Sequence, residues 1–196
     1  TSTEFSKLPY LKYLHNLNAP ENLNMASLPT RGKAFSSFLV ETLFGIDDGR
    51  IDSNLVNGVM KNAWSDTMKA AEQFNKPGEF TTFVAYEYTS SSADRGNLHR
   101  NVIFRGADRL PVLPFSRFNS TNPEGLWDWM DGLRDKGIET LAIPHNPNGS
   151  NGQMFKMVDW AGNPFSKNYS EKRMRNEPLV EITQVKGTSD SHPLLS

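Results

Sequence analysis

Three short stretches place a carboxylate or an imidazole where a strand would meet a loop. Glu87 follows Phe83-Val84-Ala85-Tyr86, His99 precedes Arg100-Asn101-Val102-Ile103-Phe104, and His145 follows Leu141-Ala142-Ile143-Pro144. One carboxylate and two imidazoles, brought in from different strand ends, can hold a divalent ion such as Zn, Mn or Fe. The chain has no cysteine, so thiolate sites and disulfides are excluded and any ligand must come from His, Asp or Glu. Each residue also has a plain reading: Glu87 as a partly exposed strand-end carboxylate, His99 and His145 as ordinary histidines. Against that, a strand otherwise so apolar rarely carries a carboxylate without a partner.

Other residues nearby can contribute. Arg100 and Asn146 flank the candidate ligands, and either can bind an anionic substrate or make only routine hydrogen bonds. His192 closes the run Ser189-Asp190-Ser191-His192, whose Asp-x-His spacing is common in metal sites but weak by itself. Glu181 is open between ligand, general base and structural carboxylate. His15 has no ligand-like neighbours and reads as a surface residue.

The elements that must position these groups follow from pattern. Val56 to Asn75 reads as a helix, closed by Lys76-Pro77-Gly78. Phe80 to Tyr88 is rich in aromatic and β-branched residues and reads as a strand, and His99 to Phe104 as a second. The loop between them is shorter than the dozen or so residues that a parallel crossover takes, so an antiparallel hairpin is expected. That hairpin brings Glu87 and His99 to one edge. Asn122, Pro123 and Glu124 form a helix start, with Leu126, Trp129, Met130 and Leu133 as the buried stripe and Gly137 as the stop. Glu139 to Pro144 reads as a strand ending at His145, Tyr169 to Asn176 as a short helix, and Leu179 to Val185 as a further strand. Strands alternating with helices predict an α/β arrangement, with the chemistry at the carboxyl ends of the strands.

Composition bounds the rest. The 196 residues suffice for one domain with a core, 37% of them are apolar, and the formal net charge is −1. No basic stripe favours nucleic acid, and no apolar run is long enough to span a bilayer. The expected partner is a small, anionic molecule; the oligomeric state is not legible. The chain opens on Thr1 with no signal peptide, which reads as the interior of a longer protein. Residues 1–55 are loop-rich and read as an insertion or covering segment, and residues 56–196 as the catalytic part.

The runs Asn97-Leu98-His99-Arg100-Asn101-Val102-Ile103-Phe104-Arg105-Gly106, Ala142-Ile143-Pro144-His145-Asn146 and Arg175-Asn176-Glu177-Pro178-Leu179-Val180-Glu181 through Ser189 resemble the bacterial DUF3604 family, a "domain of unknown function". That family is similar to the PHP (polymerase and histidinol phosphatase) superfamily. The resemblance implies a distorted (β/α)7 barrel, a cluster of two or three divalent metals, and hydrolysis of phosphoesters by a metal-activated hydroxide. Glu87 and His99 match the strand and returning hairpin of PHP enzymes, and His145 matches a later strand-end ligand. On this reading Arg100 or His192 would face the substrate phosphate. The opening His-x-His of that superfamily is missing before Glu87, which is expected if the barrel is truncated at both ends. Export signals among relatives favour a location outside the cytoplasm.

Two rival readings stand beside this one. Glu87 and Glu181 could be the carboxylate pair of a metal-independent glycosidase. Alternatively the loop-rich surface belongs to a non-catalytic binding module in which the histidines are incidental.

Overall fold

The computed structural model describes residues 48–185 and 187–190, with isolated positions at 12, 29, 32, 36, 45 and 46. His15 and His192 lie outside the described residues. The chain divides into two compact units, residues 1–67 and 68–196. The division falls within the first described helix, α1 (Ser53–Phe74), which buries Val56, Val59 and Trp64. Asp52 accepts the Asn54 N–H at 2.8 Å and so meets one of the donors that a helix start leaves free. Among the described residues no helix is long and apolar enough to cross a membrane.

The second unit is built on a three-stranded sheet in the order β1 (Ala85–Tyr88), β2 (Arg100–Phe104), β3 (Thr140–Pro144). Both pairings are antiparallel: Glu87 stands opposite Asn101, and Asn101 opposite Ile143. Successive side chains on a strand point to opposite faces, and the burial pattern follows that rule. Arg100, Val102, Phe104, Thr140 and Ala142 are buried on one face. Glu87 and Asn101 are exposed on the other, with His99 and Ile143 half-buried beside them. The face is fixed by the hydrophobic alternation, because a slip of one residue would turn Val102 and Phe104 to solvent. Each contributes about 1.5–3 kcal/mol by its burial.

Helix α2 (Pro123–Arg134) covers the buried face. Asn122 caps it, its side chain accepting the Glu124 N–H at 2.8 Å, and Pro123 takes the first position, where no N–H is needed. Leu126, Trp127, Met130 and Leu133 are buried. Trp129, half-buried, meets the rings of Tyr86, Phe104 and Phe115 at centroid distances of 6.5, 6.3 and 5.7 Å. Gly137 ends the helix with φ 75°, and the Ile138 N–H returns to the Leu133 carbonyl at 3.0 Å.

Helix α3 (Lys167–Asn176), capped by Ser166, lies against α2 and β3. Asp131 of α2 ties the two helices together, accepting from Arg134, Arg175 and Asn176 at 2.6, 2.6 and 3.0 Å. A second sheet is a minimal hairpin of β4 (Thr183–Gln184) and β5 (Gly187–Thr188).

The expected part of a (β/α)7 barrel is not seen among the described residues. A barrel of that kind needs parallel neighbours, each followed by a crossover helix. Among the described residues every strand pairs antiparallel, and the sheets do not close. The second unit is a two-layer arrangement with helices on one face of an antiparallel sheet. The misleading signal was the helix between β2 and β3, which suggests a parallel crossover. Instead residues 105–139 bring the chain back so that β3 runs against β2. Two strands are also shorter than their composition suggests. Phe80 and Phe83 are exposed and precede β1, and of Leu179 to Val185 only Thr183 and Gln184 pair as a strand.

Candidate metal centre

The exposed face of the sheet gathers the three residues singled out by their spacing. Glu87 is on β1, His99 comes directly before β2, and His145 directly after β3. His99 and Asn101 are two residues apart and share a face; Glu87 is opposite Asn101. The His145 N–H donates to the His99 carbonyl at 3.2 Å, extending the β2–β3 ladder by one step. The sheet register therefore brings the three side chains together.

One ligand atom from each of Glu87, His99 and His145 lies within 4.8 Å of the others. His99 Nδ1 is 2.7 Å from Glu87 Oε1, and His145 Nε2 is 3.8 Å from the same oxygen. The Thr89 hydroxyl donates to Glu87 Oε1 at 3.0 Å. The imidazoles of His145 and His99 hold the Glu87 carboxyl well below the usual carboxylate range, against the smaller opposing effect of its partial burial. The shift favours the charged form of Glu87, the form that binds a cation.

These residues fit a divalent ion. The donor set is one carboxylate oxygen and two imidazole nitrogens, all within 4.8 Å of one another, near enough for small side-chain adjustments to bring them onto one ion with bonds of about 2.0–2.2 Å. His145 is 7% exposed, and its Nδ1 is buried with no hydrogen-bond partner among the described residues. The nitrogen of His145 that faces Glu87 is Nε2, and this Nδ1 lies on the far side of the ring from the cluster.

An open cleft of about 660 Å³ surrounds the three side chains. Asn97, Asn101, Asn146, Asn148 and Gln184 contribute carboxamides to its wall, and Glu181 adds a second carboxylate. No Lys or Arg lines it among the described residues. Of these carboxamides only Asn146 was singled out in the sequence. Asn101 was detectable there, since alternation puts it on the face of His99.

Arg100 lies elsewhere. Its side chain is 2% exposed on the opposite face of the sheet, where Nε donates to Glu177 Oε1 at 2.6 Å and Nη1 to the Leu98 carbonyl at 2.5 Å. Trp127 Nε1 and Arg173 Nε complete the Glu177 carboxylate at 2.8 and 3.2 Å. Arg100 thus joins the sheet to both helices and does not reach the cleft. Asn146 does line the cleft, with φ 52° and ψ 45°. Ser189, three residues before His192, donates its hydroxyl to Glu181 Oε2 at 2.5 Å.

Fold and site together define a two-layer α+β unit with a candidate three-ligand metal centre on its open sheet face. The chain belongs to the family described as "Protein of unknown function (DUF3604)", whose model matches residues 1–196. No curated protein and no solved structure matches the chain.

Proposed function

We propose that this chain carries the metal-binding part of a metal-dependent hydrolase, acting on phosphoesters. The observation that carries the reading is the convergence of Glu87, His99 and His145 on one point of the sheet face, each offering a ligand atom within 4.8 Å of the others. Similarity of the Glu87–His99 hairpin pair and of His145 to the PHP superfamily supports the same class of chemistry; no barrel is part of the proposal.

Glu87, His99 and His145 would hold the ion. A divalent ion there supplies Lewis acidity and makes water a nucleophile at neutral pH. The chain's own contribution is positional. Thr89 and the two imidazoles fix the Glu87 carboxylate, and the antiparallel register fixes the imidazoles. Carboxamides such as Asn101 and Asn148 present uncharged donors and acceptors to substrate oxygens. With no Lys or Arg among the described lining residues, the anionic charge of a phosphoester falls to the ion to neutralise.

The carboxylate-pair alternative has less support. A glycosidase acid must hold its proton near neutral pH, which needs a raised pKa. Glu87 is held low by the two imidazoles. At Glu181 burial pushes upward, but Ser189, the Asn146 amide and Gln184 together bring it below the ordinary value.

The test is hydrolysis of an activated phosphoester, p-nitrophenyl phosphate and its diester, with and without a strong chelator. Chelation should abolish turnover and added Zn or Mn restore it, and Glu87→Ala should remove it with the fold intact. Turnover that survives both chelation and Glu87→Ala would overturn the reading.

A further inference from the structure

Glu181 stands outside the three-ligand group yet lines the same cleft. Its contacts fall on either side of His145. The Glu181 N–H donates to the Pro144 carbonyl at 3.1 Å, and Glu181 Oε2 accepts the Asn146 N–H at 3.1 Å. These belong to the two peptide groups that flank His145. A single residue therefore clamps both peptide planes that set the backbone of the candidate ligand.

The clamp holds an unusual conformation. Asn146 has φ 52°, in the left-handed region that residues with a Cβ seldom enter and that Asn tolerates better than most. The chain must turn there, because His145 is the last residue to follow the β3 ladder and the 3₁₀ turn Pro147–Gly149 begins directly after. Gln184 braces the same corner, its amide donating to Asn146 Oδ1 and, at 2.7 Å, to Glu181 Oε2. Ser189 adds the third donor to that oxygen at 2.5 Å. An oxygen that already accepts three hydrogen bonds is occupied in a structural task.

We propose that Glu181 is a positioning residue, which clamps the Pro144 and Asn146 peptides so that the left-handed turn aims the His145 imidazole at Glu87. The consequence for metal binding rests on the reading given under Proposed function; the clamp itself does not.

The test uses four variants of the protein, read by Zn²⁺ titration and, without metal, by NMR of the His145 ring and by hydrogen exchange of the Asn146 amide. Glu181→Ala should weaken Zn²⁺ binding by about 10- to 100-fold, the range for losing an outer partner of a ligand. It should also shift the His145 ring signals and unprotect the Asn146 amide. Glu181→Gln keeps an acceptor in place and should restore near-normal binding, whereas a ligand or general-base role would be lost with the charge. Asn146→Ala and Asn146→Gly delete the same side-chain hydrogen bond. Only alanine is strained at φ 52°, so the alanine variant should lose affinity and the glycine variant should not.

Unchanged His145 signals in Glu181→Ala, or equal behaviour of the two Asn146 variants, would overturn the proposal. If Glu181→Ala does not fold, the Asn146 pair decides. If the parent protein binds no Zn²⁺, the metal reading fails, and the clamp is judged on the metal-free NMR and exchange alone.

Discussion

His99 and His145 face each other at the end of the β2–β3 ladder, joined by the His145 N–H to the His99 carbonyl at 3.2 Å, with ring centroids 5.8 Å apart and planes at 82°. Neither residue is within a strand, yet the ladder fixes both. Glu87 reaches the same place from β1, which pairs with the other edge of β2. The candidate centre is thus a property of strand register, and its integrity can be tested residue by residue.

Elemental analysis of the purified protein should find at least one equivalent of Zn, Mn or Fe. His99→Ala and His145→Ala should each lower the affinity by more than the roughly 10- to 100-fold that loss of an outer partner costs. Their circular dichroism should match the parent, since both side chains lie outside the buried face. A metal-free parent, or variants that retain full metal, would exclude the centre.

Arg100 predicts the opposite pattern. With Glu177 it forms an ion pair in which both side chains are 2% exposed. Glu177→Ala leaves the buried Arg100 charge without its anion and should cost about 3–5 kcal/mol in urea unfolding. Arg100→Met should cost less, because Arg173 still meets the Glu177 carboxylate. Zn²⁺ affinity of whatever fraction remains folded should be unchanged. A variant that binds Zn²⁺ poorly at full stability would place Arg100 in the site after all.

Gly96 tests the loop that leads into His99. A Cβ added there would lie 2.2 Å from the Ser150 carbonyl oxygen, a backbone atom with little room to move. The neighbouring Asn97 N–H to Gly149 carbonyl bond, 2.9 Å, holds this loop to the segment after His145. Gly96→Ala should cost about 1–3 kcal/mol, as overpacking does, and should weaken metal binding as well. Gly106→Ala, with nothing within 4 Å of its Cβ, is the control and should be neutral.

Acid should loosen the α2–α3 contact through Asp131. Burial pushes its carboxyl up, but the hydrogen bonds from Arg175 and Asn176 and the charges of Arg175 and Arg134 outweigh this and hold it below the ordinary value. A group whose pKa is lower folded than unfolded stabilises fully above its unfolded value, about 3.9, and that contribution is lost as pH falls through the folded value. Unfolding free energy should therefore fall more steeply below about pH 4 in the parent than in Asp131→Asn. Equal slopes would show that Asp131 does not contribute.

The sequence by itself determined the parts. The helix start at Asn122-Pro123 was legible because capping and the proline φ are local, and the β1–β2 hairpin because the loop is too short for a crossover. Glu87, His99 and His145 were legible as candidates because an ionisable group at the edge of an apolar strand needs a partner. What only the tertiary structure decided is how those parts combine. The direction of β3 depends on the path of residues 105–139, which no local pattern encodes, and so an α/β barrel was expected where an antiparallel sheet formed. The same holds for Arg100: its neighbours in sequence place it beside a ligand, but the pleat turns it to the opposite face, where Glu177, distant in sequence, is waiting. Glu181 could not be assigned until its hydrogen bonds to the peptides around His145 were seen, because partners that far apart in the chain meet only when it folds.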